Sequence, residues 1–160
     1  MAVDTAAPDV VISRDALLKH WQGHRGLTRR VIEAFPDDKL FTFSIGGMRP
    51  FAVLVMEFVH MGVPTLRGVI TKHWDGEKIE MPGDKAGLLR LWDEATKEID
   101  RLWPTIPRGR FQETDKAFGQ WEGTGYTLLL YVIDNEIHPR AQGYVYLRAL
   151  GVEPPPFYDR

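Results

Sequence analysis

The chain has 160 residues, 44% of them hydrophobic and 26% charged, a composition that suits one folded domain with a proper core. Its 20 basic and 22 acidic side chains leave a net charge of −2 with no basic block, which argues against nucleic acid as a partner. The absence of cysteine excludes disulfides, thiolate metal sites and a cysteine nucleophile. No apolar run reaches the roughly 18 residues that would span a bilayer, and Met1 to Val10 lacks the basic start and apolar core of a signal peptide. The expectation is therefore a cytoplasmic protein with no membrane partner.

Residues 1–12 read as a leader of small residues. Ser13 caps a first helix, Asp15 complements its dipole, and Leu17, Trp21, Leu27, Val31 and Phe35 recur at roughly helical spacing until Pro36 stops it. Phe41 to Gly47 reads as an extended connection with a turn at Gly46-Gly47. A second helix starts near Pro50 and is almost wholly apolar to Met61, with Glu57 and His60 as exceptions. Gly62 and Pro64 predict a kink or interruption before it resumes toward Thr71. Residues 72–83 form a polar loop. Asp84 starts a third helix that buries Leu88, Leu91, Trp92, Ala95, Ile99 and Leu102 and stops at Pro104 and Pro107. Arg108 to Gly125 reads as a long loop with short extended pieces, a feature that in a compact domain is often functional. A fourth helix runs from about Thr124 to Leu150, with Gly151 as its cap and Pro154-Pro155-Pro156 forbidding continuation. One all-α domain over 1–160, a four-helix bundle with long loops and a peripheral Pro-rich tail at 151–160, is the predicted architecture.

In the fourth helix, Leu128, Val132, Asn135, Pro139, Gln142, Tyr146 and Ala149 are separated by steps of four and three and share one face. Most are apolar or amphipathic, so this face is expected to look inward, leaving Asn135 and Gln142 as buried polar groups that need partners. Pro139 breaks the local rule, since an interior proline costs about 3 kcal/mol unless the helix kinks.

The run from Asp134 to Arg148, followed by Gly151-Val152-Glu153-Pro154-Pro155, resembles the C-terminal signature of the DinB-like (DinB/YfiT) family of metal-dependent four-helix bundles. Trp21 to Phe35, the Pro36-Asp37-Asp38-Lys39-Leu40 run and His60 also fall where that family has matching features. The resemblance implies an up-down-down-up bundle, usually a homodimer, holding one divalent ion, zinc or nickel, on three histidines. Residues one turn apart can chelate one ion, which explains the paired histidines such families carry on the last helix. His60 matches the first ligand. The other two positions are occupied by Asn135, a weak neutral oxygen donor, and Pro139, which has no donor. His138 sits one residue off the ligand register, about 100° around the helix. Arg140, Gln142, Tyr146 and Arg148 retain the signature.

The predicted locus is thus the bundle interior where His60 faces Asp134–Gln142. Metal candidates are His60, Asn135 and His138; pocket candidates are Glu57, Gln142, Arg140 and Tyr146. Asp134 and His138, one turn apart, offer a substitute site beside the kink, against the simpler reading of a local charge pair. Glu57 and His60 form a Glu-x-x-His pair without the second pair that a di-metal site needs. His20 and His24 form another i, i+4 pair, read first as a solvated or partly buried face. His73 carries no clear signal. Arg140 and Arg148 suit an anionic substrate, although Arg148 also offsets the helix dipole. Trp103, Phe111, Phe118 and Trp121 flank the long loop and either line a pocket mouth or pack.

Two functions follow. The favoured one is a metal-free or weakly metal-binding family member that takes a small polar molecule in an emptied pocket. The alternative is a divalent-metal-dependent hydrolase or thiol S-transferase with a rearranged site around His60. The sequence leaves open whether the chain is an enzyme.

Overall fold

A computed structural model describes residues 11–160, so the leader expected over 1–12 lies almost wholly outside the described residues. The elements in order are α1 (Arg14–Ala34), the single turn α2 (Asp37–Leu40), α3 (Phe51–Thr71), α4 (Lys85–Leu102), two 3₁₀ turns at Trp103–Thr105 and Arg108–Phe111, β1 (Thr114–Ala117), β2 (Trp121–Thr124) and α5 (Gly125–Ala149). Their ends are set by the expected residues. The Ser13 hydroxyl accepts from the Ala16 N–H at 3.1 Å, the Asp84 carboxylate from Gly87 at 2.6 Å and the Thr124 hydroxyl from Thr127 at 3.2 Å. Beyond α5, Gly151 takes φ +74°, which lets its N–H reach Arg148 O and that of Val152 reach Leu147 O, closing the helix with two reverse bonds.

The four long helices pack in a square in which α1 and α3 are diagonal, as are α4 and α5. Leu17 and Trp21 share a core cluster with Leu129 and Ile133, whereas Val31 and Phe35 lie with Leu147, so α1 and α5 run parallel. Leu88 and Trp92 belong with the far end of α1, and Ile99 with its start, so α4 runs against α1; α3 does the same. This is the up-down-down-up order. β1 and β2 make a small antiparallel hairpin, with Thr114 opposite Thr124 and Ala117 opposite Trp121, which are the extended pieces anticipated in the long loop. The aromatics around it pack on one another, Phe118 on Trp74 and Trp121 and Phe111 on Trp103, while Trp121 stays exposed and Phe111 also lines a surface cleft beside Leu17 and Tyr126.

Three expectations are corrected. Phe41 to Gly47 is a run of turns rather than an extended connection, and an unexpected turn of helix, α2, precedes it, with Leu40 N–H bonded to Pro36 O. Helix α3 is neither interrupted nor split at Gly62 and Pro64. Both are buried, and the helix continues past them in contact with α4 and α5 despite the N–H that Pro64 lacks. This helix is long and apolar enough by composition to cross a membrane, but 67% of its most apolar stretch is buried within the bundle. Finally, the Pro-rich tail is not peripheral. It folds back on α1: Pro154 is buried, Arg30 pairs with Asp159 at 3.0 Å, and Arg160 lies against Gly23.

Candidate functional site

The predicted residues lie on two helices in direct contact, α3 and α5. His60 is exposed on α3, with Nδ1 at 2.7 Å from Met56 O and Nε2 at 3.1 Å from Ile79 O, so its ring lies against the 72–83 loop. Asp134 and His138 are exposed on the outer side of α5, and Pro139 is buried. Asn135 is half-buried, and its side-chain oxygen has no hydrogen-bond partner among the described residues. Glu57 pairs with Arg49 on the surface, and the Tyr146 hydroxyl donates to Arg49 O at 3.0 Å. Gln142 is half-buried. Among the described residues, no three His, Cys, Asp or Glu side chains stand close enough to share an ion.

The donor set therefore does not fit the metal that the family pattern implies. A catalytic zinc-type site needs three donors at about 2.0–2.2 Å around one point. Here one position is a proline and the surviving imidazole is turned to main-chain carbonyls.

The polar interior lies elsewhere, between α1 and α5. Helix α5 touches both α1 and α3, so it buries two adjacent stripes. One is the predicted stripe, in which Leu128, Val132, Pro139 and Tyr146 are buried. The other is offset by one residue and runs Leu129, Ile133, Glu136, Arg140, Gly143 and Leu147, again in steps of four and three. Glu136 and Arg140 on this second stripe meet His24, Arg25 and Thr28 of α1, and all five are buried.

The Glu136 carboxylate accepts from the Thr28 hydroxyl at 2.5 Å and lies 3.8 Å from Arg25 Nη1 and 3.7 Å from Arg140 Nη1. Arg25 donates to the Thr96 hydroxyl at 2.7 Å and to Trp92 O at 3.1 Å, and stacks on the Trp92 ring. It thereby ties α1, α4 and α5 together. Burial pushes the Glu136 carboxyl up despite both arginines, and lowers the Arg25 guanidinium to about 10.

Arg140 holds His24 at two points, donating to its carbonyl at 3.1 Å while Nη2 faces ring Nδ1 at 2.9 Å. Burial, then the charge of Arg140, then His20 and Arg160, lower the His24 imidazole to about 4, so it is neutral at pH 7. A guanidinium only donates, so Nδ1 is the acceptor and Nε2 carries the proton.

Outward from this cluster opens a cleft of about 790 Å³ between α1, α5 and the tail. Its polar end holds the neutral His24 ring with the cationic Arg140 and Arg160, and Ile137, Val145 and Phe157 supply apolar wall. Of the seven residues predicted for the site, only Arg140 lines it. The signal that reveals the cluster was present in the sequence. The pair Glu136 and Arg140 repeats at i, i+4 within an apolar stripe, opposite His24 and Thr28 at the same spacing.

A bundle of this topology, with a charged seam sealed between its first and last helices, is the class of protein these observations define. The sequence profile described as the DinB family matches residues 75–160, more than half of the chain, and the chain belongs to that family. Two crystal structures share its fold. A DinB-like protein from Bacillus subtilis is 17% identical with a TM-score of 0.71, covering 90% of this chain and 98% of that one. Another from Bacillus cereus is 15% identical with a TM-score of 0.74, covering 90% and 97%. No curated protein matches the chain.

Proposed function

We propose that this chain is a metal-free member of the DinB family that binds a small organic molecule in the cleft between α1, α5 and the C-terminal tail. One observation carries the reading: both His60 ring nitrogens lie on main-chain carbonyls, while a buried polar cluster opens on the cleft. Ligand sites are typically about 300–1,000 Å³, with mostly apolar walls and a few placed polar groups. The cleft has that size and make-up.

The test is metal quantification on tag-free protein grown with zinc and nickel, together with titration of Nile red into the wild type and Ala141→Trp, which narrows the cleft. Less than about 0.1 ion per chain and probe binding lost on narrowing are the expected results. A stoichiometric ion that disappears in His60→Ala overturns the reading.

A further inference from the structure

His24 is 1% exposed, and its ring is bracketed by two guanidinium groups. Arg140 Nη2 occupies Nδ1 at 2.9 Å, and Arg160 Nη1 stands 3.3 Å from Nε2. A neutral imidazole has one acceptor nitrogen, already taken by Arg140. At the cleft floor, therefore, the Nε2–H of His24 faces another N–H donor. The opposite tautomer only moves the conflict to Arg140, and a protonated ring doubles it. An unmatched buried donor costs roughly 1–3 kcal/mol, so the arrangement favours an acceptor placed between these two groups.

Two further features call for the same partner. The Tyr144 hydroxyl, at the same cleft, is buried without a hydrogen-bond partner among the described residues. In the interior behind it, Arg25 and Arg140 flank the single carboxylate of Glu136, with Asp93 and Asp100 acting on Arg25 from α4, so Arg140 at the cleft is left with one shared counter-charge. The acidic side chain on the cleft wall, Glu153, is exposed.

Resting on the reading of the cleft as a ligand site, we infer that its ligand is an amphipathic carboxylate. Its carboxylate sits between His24 Nε2–H, Arg160 and the Tyr144 hydroxyl, and its apolar body runs along Ile137, Val145 and Phe157. Three arginines, Arg140, Arg148 and Arg160, against one acidic residue, Glu153, make the lining cationic and favour an anion. The length of apolar wall favours an organic acid over a bare ion.

Calorimetric titration with octanoate, 1-octanol and inorganic phosphate tests this. Octanoate is expected to bind one to one, about tenfold or more tighter than octanol, with phosphate failing to compete. Arg160→Ala, at an exposed residue, and Tyr144→Phe, which keeps the ring and its packing, are each expected to weaken octanoate by roughly three- to tenfold and leave octanol unchanged. In a long-range ¹H–¹⁵N spectrum, the protonated Nε2 of His24 is expected to shift with octanoate and not with octanol. Equal binding of octanol and octanoate overturns the carboxylate assignment while leaving the cleft as a ligand site. Phosphate competing alone makes it an inorganic-anion site and overturns the amphiphile. Absence of octanoate binding at about 10 mM overturns the inference. If the protein also carries a stoichiometric ion, the metal-free reading falls with it.

Discussion

His24 and Glu136 set opposite pH dependences within one buried cluster. The folded-state pKa of His24 is lowered to about 4 by burial, Arg140, His20 and Arg160, from an ordinary value of 6.5. A depressed pKa contributes stability that is complete above the unfolded value and lost as pH falls through the folded one. Urea midpoints are therefore expected to drop as pH goes from 6.5 to about 4, and the slope over that window should flatten in His24→Gln. Glu98, held down to about 2 by Arg101 and Arg67, loses its contribution at lower pH and does not mimic this. The Glu136 carboxyl is shifted upward by burial, so its contribution is lost as pH rises above the ordinary glutamate range. Glu136→Gln keeps the shape and the neutral form that burial favours, so it is expected to flatten the fall in urea midpoint as pH rises above the ordinary glutamate range. An unchanged slope in that variant would assign the fall to another group.

Among the elements, α5 does the most to position the site, and its approach to α3 depends on one glycine. A Cβ built on Gly143 would lie 2.5 Å from the Phe51 ring, itself stacked on Phe35 at 4.8 Å and fully buried. Alanine in mid-helix gains at most about 1 kcal/mol over glycine, whereas overpacking a core costs about 1–3 kcal/mol. Gly143→Ala is thus expected to lower the melting temperature, and Gly143→Ala with Phe51→Leu to recover part of the loss. An unchanged or raised melting temperature in the single variant would show that α5 can move away from α3 freely. The same helix explains where the sequence reading went astray. Its start, end and caps at Thr124 and Gly151 were legible because capping is local chemistry. Its periodicity admitted two stripes one residue apart. The stripe chosen, through Asn135 and Gln142, is the less buried of the two, because only contact with α1 draws Glu136 and Arg140 inside.

For the molecule as a whole, the tail converts a groove between two helices into a cleft. Its exposed ion pair, Arg30 with Asp159, is of a kind worth about 0–1 kcal/mol, so Arg30→Ala alone should change stability little. Truncation after Val152 removes buried Pro154 and the whole outer wall. It is expected to leave helical circular dichroism intact, lower the melting temperature by a few degrees and abolish probe binding in the cleft. Retained binding would place the ligand elsewhere. Helix limits, caps, bundle class and family were all decided by the sequence, since each follows from local spacing or from residue type. The tertiary structure alone turned His60 toward the 72–83 loop, laid the tail on α1 and gathered His24, Arg25, Thr28, Glu136 and Arg140 into one interior. These five lie more than 100 residues apart along the chain in two groups, one on α1 and one on α5. Their partnership depends on the rotation of α5 against α1, which the packing of all four helices sets and no local pattern encodes.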